Sequence, residues 1–330
     1  MVDLVTGGAG FIGSHVVDEL VRAGRDVVVL DDLSGGYRQN VHPDAQLVVG
    51  SVTDEDAVRS TFDRFPVERL YHLAAYAAEG LSHFIKSFNY RNNLVGSANV
   101  LSAAINHDVE HVVFTSSAAV YGAAPHGVTE AVAPEPEDGY GIAKWAVEQE
   151  LKVSQRMFGT SFTVFRPYNV FGSHQNIADR YRNAIGIFMN QVLAGQPITV
   201  FGSGDQTRAF SHVTNVAPVI AMSPDVPGAV NQTFNVGGTE VRTVNEIARL
   251  VCEALGAPDH PIHHLEPRSE VEHIVPDPSK ATTTFGPQGG LSIALGLKEM
   301  AAWVRSIGPQ KPSRFEGIEI TKGLPPSWRD

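Results

Sequence analysis

A short apolar strand, Leu4-Val5-Thr6, runs directly into Gly7-x-x-Gly10-x-x-Gly13 and then into a helical pattern starting at Phe11-Ile12. Few architectures other than a nucleotide-binding βαβ unit accept that order, because it seats a dinucleotide pyrophosphate on a helix N-terminus. Gly7 permits the tight turn, Gly10 lets backbone N–H groups approach phosphate, and Gly13 lets the helix pack close to the strand. A second strand, Val27 to Leu30, ends in Asp31, eighteen residues after Gly13. A carboxylate there accepts hydrogen bonds from the adenosine ribose. With Asp32 beside it, it repels a 2'-phosphate, so NAD is expected rather than NADP.

The rest of the chain supports an α/β fold. Strand patterns at Gln46 to Val49, Arg69 to Leu73, His111 to Phe114 and Ser161 to Arg166 alternate with helical ones, including Asn93 to Asn106 and Gly141 to Phe158. That rhythm predicts a doubly wound parallel sheet of the Rossmann type. After Arg166-Pro167-Tyr168 it loosens into shorter elements separated by Gly and Pro. The expected organisation is a cofactor domain over 1–170, rejoined by a strand near 231–238, and a smaller α/β substrate-binding lobe over 171–330. A ligand then sits beyond the carboxyl ends of the strands, between the lobes. Four prolines, Pro309, Pro312, Pro325 and Pro326, surround a strand-like stretch at Glu316 to Ile320, which reads as an extended strap on the surface.

Composition narrows the partners. A length of 330 residues permits a large core, and a net charge of −11 argues against a nucleic-acid partner, which requires basic surface. No apolar run is long enough for a bilayer, and no signal peptide precedes the first strand, so a cytoplasmic protein with no membrane partner is expected. The single cysteine, Cys252, lies on an amphipathic helical pattern and reads as a core thiol. The thirteen histidines lack metal-ligand spacing, the His263-His264 pair included, so no metal is expected.

Chemistry concentrates between residues 114 and 144. Tyr140 and Lys144 are four apart and share a helix face. The ammonium, with an oxidised nicotinamide nearby, lowers the phenol pKa toward neutrality, making Tyr140 a candidate base. Upstream, the strand ending at Phe114-Thr115-Ser116-Ser117 delivers hydroxyls to the ligand edge, where Ser117 can bond the oxygen that Tyr140 deprotonates.

From Thr6-Gly7-Gly8-Ala9-Gly10-Phe11-Ile12-Gly13 through Tyr140-x-x-x-Lys144 to Pro276-Asp277-Pro278-Ser279-Lys280, the chain resembles the extended short-chain dehydrogenase/reductases of the nucleotide-sugar epimerase and dehydratase group. Its Ser116-Ser117-Ala118-x-Val120-Tyr121-Gly122 segment is similar to the UDP-glucose 4-epimerase loop, whereas 4,6-dehydratases carry a Thr-Asp-Glu acid pair there. The resemblance implies a redox-neutral cycle on a UDP-hexose. Tyr140 takes the sugar 4-hydroxyl proton as hydride passes to NAD, and the 4-keto sugar turns and is reduced on its other face. Ser117 orients the oxygen and Lys144 holds the nicotinamide ribose. Arg208 and Arg268 match the family's diphosphate clamp, with Asn169 and Phe201 as further substrate contacts. Leu73, Ala74 and Ala75 match the segment along the NAD phosphates, Asn92 or Asn93 a family asparagine, and Ser51 with Val52 the adenine contact.

Three positions depart from the family pattern: Ser51 replaces an aspartate, Ala209 replaces the aspartate of Arg-Asp-Phe, and the Ala78 to Lys86 loop differs. Glu79, Ser82 and His83 in that loop either meet sugar hydroxyls or are solvated. A UDP-glucuronate epimerase or decarboxylase is the nearest alternative, with Arg180, Arg182 and Lys86 as candidate carboxylate partners. A noncatalytic NAD-binding module is the other. The family also implies a homodimer through the Asn93 to Asn106 and Gly141 to Phe158 helices. Leu94, Val100, Leu101, Trp145, Val147 and Leu151 serve either that interface or the sheet.

Overall fold

The computed structural model describes residues 1–124, 126–267, 273–287 and 289–329. Six consecutive parallel strands, β1 (Val2–Thr6), β2 (Val27–Asp31), β3 (Gln46–Val49), β4 (Val67–His72), β5 (His111–Thr115) and β6 (Ser161–Pro167), form one sheet. A seventh, Gln232–Val236, joins its edge beside β6, giving the order Gln232–Val236, β6, β5, β4, β1, β2, β3. The order reverses at β1, and this switch point opens a crevice at the carboxyl ends of the strands.

The central strands read as continuous apolar runs because both faces are covered. Side chains alternate between two layers. Leu4, Val28, Leu30, Leu70, Val112 and Phe114 pack with Phe62, Val100, Leu101, Val147 and Leu151 on one side. Val5, Val27, Val29, Tyr71 and Val113 pack with Val16, Val17, Leu20 and Ile220 on the other. The helix Gly139–Phe158 supplies Val147 and Leu151 to the first layer, and Gly96–Asn106 supplies Val100 and Leu101. Those four residues therefore serve the sheet, while Val95, Ile142, Val153, Met157 and Phe158 are the exposed apolar residues on and beside the two helices. The helix expected from Asn93 starts as a wider π-type turn over Arg91–Val95 and becomes regular at Gly96.

A separate cluster around Phe171, Ile185, Phe188, Ile198, Ile247 and Leu297 forms a second core, drawn from residues 171–304, and contains the buried Cys252. His263 and His264 lie on the strand Ile262–Leu265, paired with Ile198–Phe201. Among the described residues no group of His, Cys, Asp or Glu can hold a metal, and no helix is long and apolar enough to cross a membrane. The strap runs over the surface as expected, without regular structure and mostly exposed from 309 to 323. Glu316 to Ile320 forms no strand, and Leu324 and Trp328 are buried against Ala78, Leu81, Ile85 and Tyr181. Its aromatic and apolar residues are spaced for contact with loops rather than for sheet pairing.

One polar group inside the sheet makes stability sensitive to acid. His72, fully buried at the end of β4, bonds Thr6 Oγ1 at 2.7 Å and Ser97 Oγ at 2.8 Å, and burial pushes its pKa down to about 3. The unfolded chain binds a proton at this site below about pH 6.5 and the folded chain does not, so acidification favours unfolding by about 1.4 kcal/mol per pH unit across that window. Urea midpoints should fall between pH 7 and pH 5, and the fall should be shallower in His72→Asn. A slope unchanged by that substitution would rule out His72 as the source.

Candidate active site

The crevice is a cleft of about 740 Å³ running from the glycine turn to the substrate-side lobe. At one end, β1 delivers Gly7, whose φ of +74° is a left-handed conformation, and the helix α1 (Phe11–Arg22) follows at once. A Cβ on Gly13 would lie 2.1 Å from the Gly7 carbonyl oxygen, so the close approach of helix and turn admits only glycine. No side chain caps α1, and its first turn carries no acidic residue. Its leading N–H groups, at Phe11, Ile12 and Gly13, have no intrahelical acceptors and face the cleft, which suits a diphosphate.

Asp31 ends β2 at the cleft wall, 8 % exposed. Its carboxylate accepts from Ala9 N at 3.0 Å and Leu33 N at 2.8 Å, tying the glycine turn to the second strand. Burial raises its pKa and these bonds oppose the rise. Asp32, Val52, Leu73, Ala74, Ala75 and Asn92 also line the cleft. Ser51 does not, and its hydroxyl bonds Thr53 Oγ1 at 3.0 Å. Of the two asparagines, Asn93 is wholly buried and braces the backbone of Tyr76 through its amide, leaving Asn92 at the cleft.

At the middle of the cleft stand Ser117, Tyr140 and Lys144. Asp138 caps the helix Gly139–Phe158 by accepting from Gly141 N at 2.8 Å, which sets Tyr140 in the first turn, facing the end of β5. Ser117 caps the short turn Ala118–Tyr121 through Ala119 N. The Tyr140 phenol lies above its ordinary pKa, chiefly through burial and then through the Glu79 charge, while a hydrogen bond from Ser117 pulls it down. Lys144 is pushed down to about 7 by burial, against the pull of Glu148. Its Nζ donates to the Thr115 carbonyl at 2.8 Å and lies 5.8 Å from the Tyr140 ring centroid. The lowering of the phenol is expected of Lys144 acting with an oxidised nicotinamide; in the protein by itself both groups are buried and the ammonium is engaged with the end of β5.

Beneath them, Glu148 receives Arg166 Nε at 2.9 Å, Arg166 Nη2 at 2.6 Å and the Ser116 hydroxyl at 2.5 Å. Arg166 also donates to the Tyr121 hydroxyl at 2.7 Å, which in turn donates to Asn235 at 2.8 Å. This buried network fixes both ends of the Ser116 to Tyr121 loop.

The far end carries Asn169, Phe201 and Arg208. Asn169, at φ +39°, donates to the Ala209 carbonyl at 2.9 Å, and Arg208 Nη1 donates to the Thr207 carbonyl at 2.9 Å. Arg268 lies outside the described residues. Arg180, Arg182, Glu79 and His83 also line the cleft, Arg182 within reach of Gly35, whereas Lys86 does not; Ser82 is buried and donates to the Glu79 carbonyl. Three buried oxygens in the cleft wall lack hydrogen-bond partners: Thr115 Oγ1, Tyr168 Oη and Gln175 Oε1. Buried polar atoms are nearly always satisfied, so these three fit a polar ligand spanning the cleft. Thr115 belongs to the hydroxyl-bearing end of β5 that the sequence already marks, whereas no motif marks Gln175.

Comparisons with known proteins agree with this geometry. The NAD dependent epimerase/dehydratase family matches residues 4–237. A UDP-glucose 4-epimerase of Mycolicibacterium smegmatis is 31% identical over 313 residues, covering 93% of this chain and 99% of that protein. UDP-glucuronic acid decarboxylase 1 of Danio rerio is 28% identical over 344 residues, 98% of this chain and 78% of that protein. The crystal structure of Thermotoga maritima UDP-glucose 4-epimerase with UDP-glucose superposes with a TM-score of 0.87 at 31% identity, covering 93% of this chain and 99% of that one. The Thermus thermophilus UDP-glucose 4-epimerase complex with NAD gives 0.85 at 29% identity, covering 92% and 99%. The chain belongs to the NAD-dependent epimerase/dehydratase family of nucleotide-sugar enzymes.

Proposed function

We propose that the protein is a nucleotide-sugar 4-epimerase interconverting UDP-glucose and UDP-galactose. The observation that carries this reading is the composition of the loop after β5. Ser117 and Tyr140 both line the cleft, where the Ser117 hydroxyl acts to lower the phenol, and Ser116 is turned away into the Glu148 network. No carboxylate stands at residues 116–118 to drive elimination of water.

In the forward direction Tyr140 receives the 4-hydroxyl proton while Ser117 holds the same oxygen. The phenol starts above its ordinary range, so it needs positive charge beside it to act as a base near neutral pH. Bound NAD supplies that charge and a hydride acceptor at its nicotinamide. Lys144, partly charged at neutral pH, is the group for the nicotinamide ribose. Gly7, Gly10, Phe11, Ile12 and Gly13 hold the diphosphate, and Asp31 the adenosine ribose. At the other end Arg208 and Asn169 grip the nucleotide diphosphate, whose bond to the sugar is the axis about which the 4-keto ring turns; the family resemblance assigns Arg268 to the same clamp. Guanidinium forks suit that task because they match two phosphate oxygens at once.

A second reading, epimerisation or decarboxylation of UDP-glucuronate, is favoured by the guanidinium of Arg180, which lines the cleft beside Glu79 and His83. Proton NMR of the anomeric signals decides between them. With NAD present, UDP-galactose should yield UDP-glucose without accumulation of NADH. Conversion of UDP-glucuronate alone would replace the hexose reading, and conversion of neither would remove both. We also infer a homodimer through Val95, Ile142 and Val153, exposed on adjacent helix surfaces; light scattering at the monomer mass would refute it.

A further inference from the structure

We infer that the strap over residues 309–329 is a built part of the sugar subsite, with Trp328 as a positioning residue that closes its outer wall. For the identity of the ligand this rests on the nucleotide-sugar reading; for the architecture it rests on the strap's own contacts.

The strap is stitched to both sides of the cleft. On the substrate-side lobe, Asn190 exchanges two hydrogen bonds with the backbone of Gln310, at 2.8 and 2.9 Å, and Ser313 N donates to the Ala178 carbonyl at 2.8 Å. On the cofactor side, Glu319 accepts from Ser87 N at 2.8 Å and Phe88 N at 2.9 Å, capping the short helix Lys86–Tyr90. The Phe84 carbonyl accepts from Glu319 N and Ile320 N. Phe315 bridges the two, with its ring 5.6 Å from Tyr76 and 4.8 Å from Phe88 and its N–H on the Tyr181 hydroxyl.

The strap's end reaches the cleft itself. Trp328, 6 % exposed, packs edge-on against Tyr181 at 5.3 Å and Phe84 at 6.1 Å, and a Cβ on Gly80 would lie 3.4 Å from its ring. One indole therefore holds the Glu79 to Ser82 turn of one lobe and the Arg180 to Arg182 segment of the other. The carbonyl of the preceding Ser327 accepts from Arg180 Nη2, so the strap also sets where that guanidinium points. Ser327 and Trp328 line the cleft beside Glu79, His83 and Arg180. Ser327 and Trp328 also line a smaller pocket with Gly80, His83 and Phe201, the last a candidate substrate contact. The strap thus stands beside the loop that departs from the family pattern and beside a residue assigned to the substrate.

The test uses the full chain with NAD and compares Trp328→Ala and Trp328→Phe with the parent. Calorimetric titration should show that Trp328→Ala weakens UDP-glucose about tenfold, as truncating a buried aromatic anchor does. Binding of UDP, which lacks the sugar, should stay within about twofold, and Trp328→Phe should restore most of the loss. Hydrogen exchange without substrate should quicken in residues 79–90 and 176–183 together while β1 and β2 stay protected. Unchanged UDP-glucose affinity, or equal weakening of UDP and UDP-glucose, would overturn the assignment. If the parent itself does not prefer UDP-glucose to UDP, the UDP-hexose reading falls, and the exchange experiment alone judges the strap: unaltered exchange in both segments refutes it. Should Trp328→Ala fail to fold, Trp328→Leu keeps the apolar bulk without the ring and takes its place.

Discussion

Tyr140→Phe is expected to lower epimerase turnover by about 10³-fold, within the range for removing a general base, while NAD binding and folding persist. The substitution removes one oxygen from a ring that is 5 % exposed, and leaves the ring's packing and the Asp138 cap of its helix intact. Ser117 loses its partner but keeps its bond from Ala119 N, so the loop should hold. The measurement pairs NMR progress curves with a fluorescence titration of NAD. A loss of both turnover and NAD affinity would mean that the phenol acts on the cofactor; retention of turnover within tenfold would remove Tyr140 as the base. Ser117→Ala should show a smaller loss, because it orients the oxygen and does not take the proton.

The parts of the site legible in the sequence are those whose partners lie close in the chain. Gly7, Gly10 and Gly13 are held by a single strand-to-helix turn, and Tyr140 and Lys144 by one turn of one helix, so their spacing alone implies their juxtaposition. Strand positions were readable for a similar reason: a parallel sheet covered on both faces demands continuous apolar runs such as Val27–Asp31, buried at every residue. Long-range partners were not. Nothing about Arg166 or Glu148 in isolation announces a buried pair, nor does Asn235 announce its bond to Tyr121 across 114 positions. Asn93 and Asn92 differ only in which helix face meets Tyr76. The prolines of the strap announce a surface segment without regular structure, whereas the anchoring of Leu324 and Trp328 depends on aromatic contacts with loops from both lobes. Lys144 is placed beside Tyr140 by helix spacing, whereas the carbonyl it donates to belongs to Thr115, 29 positions away.

The second large effect concerns that unreadable network. Glu148 and Arg166 are 0% and 3% exposed and form a two-pronged pair beneath the Ser116 to Tyr121 loop. Glu148→Ala strands a guanidinium in the interior and takes the acceptor from Ser116, and should destabilise the fold by about 3–5 kcal/mol. Urea denaturation at neutral pH measures it. A double replacement, Glu148→Leu with Arg166→Met, removes the uncompensated charge along with its partner and should recover most of that loss, since apolar residues of similar volume replace buried ion pairs well. Turnover should not recover with it. Ser116 would still lack its acceptor and Tyr121 its guanidinium, keeping only Asn235, and Ser117 lies between those two residues in the chain. A double variant that regains both stability and turnover would reduce the network to a filler of the core. One that regains stability alone would establish that the pair's role is to aim the Ser117 hydroxyl at Tyr140.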